Sequence, residues 1–275
     1  MTRYRASAAF TSDWRHFDFS VDGGVAVVTF NRPDRLGALT FDVYADLRDL
    51  LNELPHRDDV RALVIAGRGR GFCSGGDVDE IIGALQSMEP AELLDFTRMT
   101  GSVVKGMREL PIPVVAAVNG VAAGAGAVIA LAADLRLLGR SASFAFLFTK
   151  VGLAGADMGA AYLLPRVVGL GRATELLMLG DTVTSERAFE IGLATQVVDD
   201  EALPGAAHEL ARRIADGPAL AYSTTKVLLT RELDMDLAGA VEMEAVTQAL
   251  LMRSRDHAEF HRARTEGRPP QWSGR

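Results

Sequence analysis

Apolar residues in the first half of the chain form short runs that alternate with amphipathic segments. Three runs predict strands, at residues 25–30, 61–66 and 114–118, because turn residues follow each run. Thr40 precedes apolar positions at helical spacing, so a helix is predicted with Thr40 as its N-cap. Residues 1–20 lack such a pattern and are predicted to be an irregular arm. The alternation of strand and helix indicates an α/β fold.

The second half of the chain is predicted to be mainly helical. Residues 78–110 and 125–133 show helical patterns, and from Met158 onward almost every segment does so. We therefore expect two regions. A core that carries the functional site would span residues 1–200, and a helical trimerisation or lid region would span residues 201–275.

Composition and charge argue against several classes of partner. The 275 residues carry a net charge of -7, which argues against nucleic acid or an anionic membrane as the main partner. The single cysteine, Cys73, rules out an internal disulfide, so a cytoplasmic location is expected. The five histidines show no metal-ligand spacing, so we expect no metal. Residues 111–133 are uncharged, but Asn119-Gly120 interrupts them, which favours a buried strand, turn and helix over a membrane span.

Two glycine-rich turns share one design, in which a buried strand ends in small residues that lead directly into a helix. The first turn is at residues 72–77 and the second at residues 118–127. Small residues allow a ligand to approach the backbone, and the N–H groups at the start of a helix are free to donate. The chain has no Walker-type lysine and no G-x-G-x-x-G motif. We therefore interpret the pair as two amides that converge on one ligand oxygen rather than as a phosphate site.

These motifs resemble those of the crotonase superfamily, the enoyl-CoA hydratase/isomerase family. Residues 72–78 resemble its F-x-(A/S)-G-(A/G)-D-(L/I/V) motif, and residues 113–126 resemble its second glycine motif. Residues 31–39 resemble its early N-R-P-x-x-x-N-A-L signature, with Gly37 in place of the usual asparagine. The similarity extends from about Phe19 to the C-terminus, and the motifs together are highly specific.

The resemblance implies a crotonase-type ββα superhelix with a helical C-terminal lobe, a homotrimer or hexamer, and an acyl-CoA thioester as substrate. It implies no cofactor other than the coenzyme A of that substrate. The oxyanion-hole amides would be those of Gly76 and Ala125. Two such amides stabilise the charge on the thioester oxygen of an enolate, and losing one typically costs roughly 3–4 kcal/mol. Four residues near the turns would contact coenzyme A, namely Arg35, Leu36, Ser74 and Gly124.

Hydratases of this family bind their water with two glutamates, and both positions are apolar here. They are occupied by Val128 and Phe148, neither of which can bind or polarise water. We therefore expect no ordinary enoyl-CoA hydratase activity. Residues 152–159, which include Asp157, resemble the loop that carries an aspartate in the family's dienoyl-CoA isomerases, phenylacetyl-CoA ring isomerases and aryl-CoA dehalogenases. This loop has one extra small residue after Gly152.

Asp157 is interpreted as the catalytic base of a double-bond isomerase. The alternative role for Asp157 is an N-cap of a helix that starts at Met158. Alternative functions stay open at this point. The chain could be a hydratase-type lyase that uses Asp157 alone, or could catalyse another acyl-CoA reaction that passes through the same enolate. It could also be a non-catalytic acyl-CoA binder that has kept the fold.

Other polar side chains near the motifs are assigned structural roles. Asp77 is expected to cap a helix that begins after it, and Asp79 and Glu80 are expected to face solvent. Tyr162 and Lys150 are expected at the edge of the core and on the surface. Cys73 is expected to pack as a small apolar residue.

Overall fold

The computed structural model describes residues 9–11 and 13–275. Residues 1–8 and 12 of the arm predicted over residues 1–20 therefore lie outside the described residues. The described residues up to position 17 precede the first strand. The strands, in chain order, are β1 (Asp18–Asp22), β2 (Val25–Phe30), β3 (Ala62–Gly67), β4 (Gly71–Cys73), β5 (Val114–Val118), β6 (Val121–Ala123), β7 (Leu135–Gly139), β8 (Ser143–Ala145), β9 (Val183–Thr184) and β10 (Gln196–Val198).

The helices follow the sequence prediction closely. In chain order they are α1 (Phe41–Glu53), α2 (Gly83–Leu85), α3 (Pro90–Glu109), α4 (Ala125–Ala132), α5 (Ala160–Val168), α6 (Leu170–Leu179), α7 (Ser185–Glu190), α8 (Leu203–Ala215), α9 (Ala219–Arg231), α10 (Leu237–Leu251) and α11 (Arg255–Glu266). A π-helical turn, Val78–Ile82, leads into α2. The helical C-terminal third is therefore confirmed.

From β3 to β8, successive strands alternate between two sheets. One sheet has the order β1-β2-β3-β5-β7-β10, and the other has the order β4-β6-β8-β9. Within the larger sheet β3, β5 and β7 are parallel neighbours, and each is followed by a strand of the smaller sheet and then by a helix. This repeat of strand, strand and helix confirms the predicted ββα superhelix. It also brings the ends of β4 and β6, where the two glycine turns begin, side by side.

The sequence prediction was wrong for two sets of strands. It assigned β4 and β6 to turns and missed β8, β9 and β10, because runs of two or three residues are too short to show a period of two. It also placed residues 18–20 in an irregular arm, whereas they belong to β1, an edge strand antiparallel to β2. Aspartates at both ends of β1 make this segment polar, which concealed the alternation of Phe19 and Val21.

Helix α1 begins as the sequence predicts. Thr40 is its N-cap, and the Thr40 hydroxyl accepts a hydrogen bond from the Val43 N–H at 3.3 Å. The buried face of α1 includes Tyr44 and Leu47 and lies against α3. This contact positions Tyr44 within the main core cluster.

The Thr40 cap gives a first testable prediction. Thr40→Ala is expected to lower the free energy of unfolding by about 1 kcal/mol, because the N-terminal N–H groups of α1 lose a side-chain acceptor. Thr40→Ser keeps the hydroxyl and serves as the control. Equilibrium unfolding in urea measures both variants, and equal stability of the two would contradict this role of the cap.

The C-terminal helices differ in how they pack. Helix α8 lies on the large sheet, where Leu203 and Ala211 share a buried cluster with Val64 and Val115. Helix α10, in contrast, has no buried residue among those described, and its Leu237 is 80% exposed. The boundary at residue 200 and the trimerisation or lid role of the region after it stay predictions.

The uncharged segment at residues 111–133 has the predicted arrangement. It forms β5, the short strand β6 and α4, and every residue of α4 is buried. None of the helices in the described part of the chain combines the length and hydropathy needed to cross a lipid bilayer.

Candidate active site

The first glycine turn follows β4 and is held by the loop that follows β2. The Gly75 carbonyl accepts a hydrogen bond from the Leu39 N–H at 2.8 Å, and the Asp77 N–H donates to the Leu39 carbonyl at 2.8 Å. Gly75 has a φ of +97°, which glycine adopts without strain. Between these bonds, the Gly76 N–H has no hydrogen-bond partner among the described residues. It is therefore available to a ligand.

The second glycine turn lies directly against the first. A Cβ atom placed on Gly75 would be 3.5 Å from the Ala125 nitrogen, and one placed on Gly124 would be 4.0 Å from the Gly75 Cα atom. Ala125 is the first residue of α4, and its N–H has no partner within the described part of the chain. The structure thus brings the predicted amides of Gly76 and Ala125 onto two adjoining turns.

The start of α4 packs so closely on β4 that only glycine fits at position 126. A Cβ atom on Gly126 would overlap the carbonyl oxygen of Cys73. Cys73 is fully buried, and burial raises the pKa of its thiol to about 12. The thiol is therefore neutral at physiological pH, and the prediction that Cys73 packs as a small apolar residue is confirmed.

Three of the predicted coenzyme A contacts lie together at the first turn. The Ser74 N–H donates to the Leu36 carbonyl at 3.0 Å, and the Ser74 hydroxyl donates to the Arg35 carbonyl at 3.1 Å. The exposed Arg35 guanidinium pairs with Asp79 at 2.8 Å, and this hydrogen bond raises the pKa of Arg35. The fourth predicted contact, Gly124, lies at the second turn beside Gly75. An anionic ligand would compete with Asp79 for the guanidinium.

Asp77 caps the helical turn that follows it, as predicted. Its carboxylate accepts hydrogen bonds from the backbone N–H groups of Asp79 and Glu80. Arg32, which sequence reasoning did not single out, contacts the same carboxylate at 2.9 Å and also binds the Glu80 side chain. The pKa of Asp77 is lowered by the hydrogen bonds from the Glu80 and Asp79 N–H groups and by the nearby Arg32. Together these effects outweigh burial, which raises it. The contact between Arg32 and Asp77 thereby holds the first turn in place.

The two positions that carry glutamates in the family's hydratases lie in apolar surroundings. Val128 in α4 is 0% exposed, and Phe148 is 8% exposed. Both side chains belong to the main core cluster. Neither position can supply a carboxylate to hold water.

Asp157 lies half-buried in the loop before α5. Helix α5 begins at Ala160, its N-cap residue is Gly159, and no side chain in the described part of the chain caps it. The Asp157 carboxylate instead accepts a hydrogen bond from the N–H of the next residue, Met158, at 2.8 Å. The alternative role of Asp157 as an N-cap is therefore wrong. Met158 has a φ of +50°, a conformation that non-glycine residues rarely adopt and that often marks functional loops.

The surroundings of Asp157 favour a basic carboxylate. Burial raises the pKa of Asp157, and the hydrogen bond from the Met158 N–H opposes this only in part. A carboxylate with a raised pKa is a stronger base once ionised.

A cavity of about 720 Å³ adjoins the residues that follow Asp157. Its volume lies within the range of small-molecule sites. Met158 and Gly159 line it together with one side of α3 and with residues at the α9–α10 junction, including Leu233 and Met235. Gly76 and Ala125 do not line it. The cavity is therefore next to the candidate base rather than between the two amides.

Tyr162 and Lys150 have surface partners, as predicted. The Tyr162 hydroxyl donates to Asp234 at 2.7 Å, and Lys150 pairs with Asp181 at 2.9 Å. Among the described residues, no group of three or more histidine, cysteine, aspartate or glutamate side chains is arranged to hold a metal ion.

Comparison with known proteins agrees with this architecture. The family profile described as Enoyl-CoA hydratase/isomerase matches residues 20–275. The 1,2-epoxyphenylacetyl-CoA isomerase of Escherichia coli (strain K12) is 38% identical over 255 residues, which cover 93% of this chain and 97% of that protein. The protein named probable enoyl-CoA hydratase echA12 of Mycobacterium bovis is 35% identical, with coverage of 90% and 88%.

A solved structure is similar over the full length. The crystal structure of a Streptomyces coelicolor A3(2) protein, provisionally described as an enoyl-CoA hydratase, has a TM-score of 0.98, 65% sequence identity and 100% coverage of both chains. The predicted crotonase fold is thereby confirmed. The chain is an enzyme that belongs to the enoyl-CoA hydratase/isomerase family.

Proposed function

We propose that this enzyme shifts a double bond in an enoyl-CoA ester through an enolate, with Asp157 as the base. The observation that carries the proposal is the state of the Asp157 carboxylate. Among the described residues it has one backbone partner and caps no helix, and burial raises its pKa. The positions that hold water in hydratases are apolar. A single half-buried carboxylate suits proton transfer between two carbons better than activation of water.

The proposed role of the two glycine turns is to bind the thioester oxygen. The free N–H groups of Gly76 and Ala125 would donate to that oxygen, and the start of α4 would add its positive dipole end. Negative charge grows on this oxygen when the substrate loses a proton at C2. Donors held in place before the reaction stabilise that charge without reorganisation.

The proton transfer balances without any other reactant. Asp157 takes a proton from C2 of a 3-enoyl-CoA, and the C–H electron pair is delocalised over C2–C4 and the thioester oxygen. The same carboxyl then returns the proton to C4, which leaves the double bond between C2 and C3. The reaction is redox-neutral, so it requires no electron carrier and no cofactor beyond the coenzyme A of the substrate.

The remaining proposals concern the rest of the ligand and the assembly. Arg35, Leu36, Ser74 and Gly124 would contact coenzyme A, because they cluster at the two turns and Arg35 supplies a positive charge. We also propose a homotrimer or hexamer. Helix α10 supports this proposal, since its apolar residues, such as Leu237, are exposed to solvent among the described residues of a single chain.

The second candidate is a hydratase-type lyase that uses one carboxylate. The hydratase named among the relatives favours it, whereas the apolar Val128 and Phe148 count against it. A third candidate, an acyl-CoA binder without activity, would retain the two turns but not use Asp157.

Turnover with a panel of 3-enoyl-, 2-enoyl- and aryl-CoA esters tests the proposal. We expect a 3-enoyl-CoA to give its 2-enoyl isomer, detected by chromatography and mass spectrometry with no change of mass. A product heavier by one water would contradict the isomerase and support the hydratase-type lyase. Binding of every ester without any product would contradict both enzymes and support the acyl-CoA binder without activity.

The raised pKa of Asp157 gives a prediction for pH dependence. The ionised carboxylate is the base, so kcat/KM should fall on the acid side, with a midpoint above the ordinary aspartate value of 3.8. Asp157→Asn should lack this acid limb in its residual activity. A wild-type profile that stays flat down to about pH 4 would contradict the assignment.

A further inference from the structure

The cavity of about 720 Å³ beside the Asp157 loop takes no part in the proton transfer itself. Two residues of the loop line it. One is Met158, whose N–H donates to the Asp157 carboxylate at 2.8 Å, and the other is Gly159. A Cβ atom on Gly159 would be 3.7 Å from the side chain of Val104 in α3, which lines the same cavity. The cavity therefore adjoins the candidate base and runs along α3.

Apolar side chains form much of the cavity wall. Those from the core are buried, whereas Leu233 and Met235 at the α9–α10 junction are 44% and 39% exposed. Exposed apolar side chains at a cavity wall favour a ligand that removes them from water. Methionine also adapts its shape to what it contacts. The apolar residues of the wall are Val104, Met158, Leu163, Leu233, Met235 and Met243.

The charged side chains on the wall do not call for a charged ligand. Each of them has an oppositely charged side chain within 4.0 Å, so the cavity presents no uncompensated charge to a ligand. The pairs are Arg108–Asp134, Lys105–Glu109, Arg231–Glu109 and Arg166–Asp234. The cavity is therefore suited to an uncharged, apolar group.

One position on the α3 side of the cavity has no side chain. Gly101 lies in the interior of α3 and lines the cavity. A Cβ atom there would have no neighbour within 4 Å among the described residues, and Gly101 does not have a positive φ. Neither packing nor backbone conformation therefore requires glycine, although glycine is unfavourable inside a helix. Its effect is to leave the cavity open at this point.

We propose that the cavity binds the part of the acyl group beyond C4, and that the enzyme thereby prefers acyl-CoA esters with a bulky apolar acyl group to four-carbon esters. A four-carbon acyl group with C2 and C4 at Asp157 would end before the cavity, whereas an aryl group or a medium-length chain would enter it. Gly101 is then a specificity-determining residue. This inference rests on the proposed function, since it takes C2 and C4 of the ester to lie at Asp157.

Affinities for saturated, unreactive esters test this inference. Isothermal titration calorimetry would give Kd for butanoyl-CoA, decanoyl-CoA and phenylacetyl-CoA with the wild type, Gly101→Leu and Gly205→Leu. We expect the wild type to bind at least one bulky ester about tenfold more tightly than butanoyl-CoA, which corresponds to roughly 1.4 kcal/mol. Gly101→Leu should remove this advantage, because its side chain enters the cavity, and should leave butanoyl-CoA unaffected. Gly205 is exposed in α8 and does not line the cavity, so Gly205→Leu should behave like the wild type.

The contrary results separate this inference from the proposed function. Equal wild-type affinities for the three esters would overturn the role of the cavity, and so would a Gly101→Leu variant that weakens all three equally or none. If Gly101→Leu does not fold, the wild-type comparison alone decides. The expected affinities without any isomerisation of a 3-enoyl-CoA would overturn the proposed reaction but support the cavity as the acyl site. Failure of the wild type to bind any ester would overturn both.

Discussion

Asp157→Asn is expected to lower kcat by about 10²- to 10⁴-fold, the range that a positioned general base contributes. Asparagine has nearly the same shape and keeps the acceptor for the Met158 N–H, but it cannot take a proton from carbon. The Kd for a CoA ester should therefore stay close to that of the wild type. Steady-state turnover of a 3-enoyl-CoA and calorimetric binding measure the two effects separately.

A surface aspartate supplies the matched control. Asp181 pairs with Lys150 on the surface, so Asp181→Asn should retain full turnover. If Asp157→Asn also retains it, then Asp157 is not the base. A loss of binding equal to the loss of turnover would mean that Asp157 holds the ligand instead.

Asp157→Asn should be at least as stable as the wild type at neutral pH. The folded state raises the pKa of Asp157 above its unfolded value, so the folded state binds the proton more tightly. Ionisation of Asp157 therefore lowers the free energy of unfolding. This penalty is absent below the pKa of the unfolded state and is complete once the pH exceeds the pKa of the folded state. Asp157→Asn removes the penalty, and its stability advantage should disappear as pH falls below about 3.8.

Gly126→Ala has the second largest expected effect. The added methyl group would overlap the Cys73 carbonyl oxygen, so the start of α4 must move away from β4. Overpacking of this kind costs about 1–3 kcal/mol of stability. Displacement of the Ala125 amide should also lower kcat by about 10²- to 10³-fold, as removal of one oxyanion donor does. Urea unfolding and turnover assays measure the two losses.

Gly205→Ala is the control for this substitution. Gly205 is an exposed residue of α8, and a Cβ atom there would have no neighbour within 4 Å among the described residues. Alanine is the better helix former, so this variant should gain about 0.5–1 kcal/mol and keep its activity. If Gly126→Ala behaves like Gly205→Ala, then close packing of α4 on Cys73 does not position the Ala125 amide.

The sequence predicts those elements in which one residue type has one dominant physical role. The cap at Thr40 and the buried strands β2, β3 and β5 are of this kind, because a hydroxyl before a helix and a continuous apolar run are local signals. The smaller sheet is different. Its strands have two or three residues, and their pairing depends on how successive turns of the superhelix stack.

The candidate site likewise contains some features that local sequence signals predict and others that depend on contacts between distant residues. The glycines of both turns can be recognised in the sequence. The structure gives the reason for one of them, since a Cβ atom at Gly126 would overlap the Cys73 carbonyl oxygen. The contact between Arg32 and Asp77 joins residues that are distant along the chain. The sequence alone allows a cap at Asp157, because it does not show that the helix begins only at Ala160.

The central claim is that the thioester oxygen binds between two backbone nitrogens. A crystal structure of the Asp157→Asn variant with a 3-enoyl-CoA bound tests it most directly. We predict that the thioester oxygen lies about 2.7–3.1 Å from the nitrogens of both Gly76 and Ala125. An oxygen outside hydrogen-bond distance of either nitrogen, in an otherwise ordered ligand, would contradict the claim.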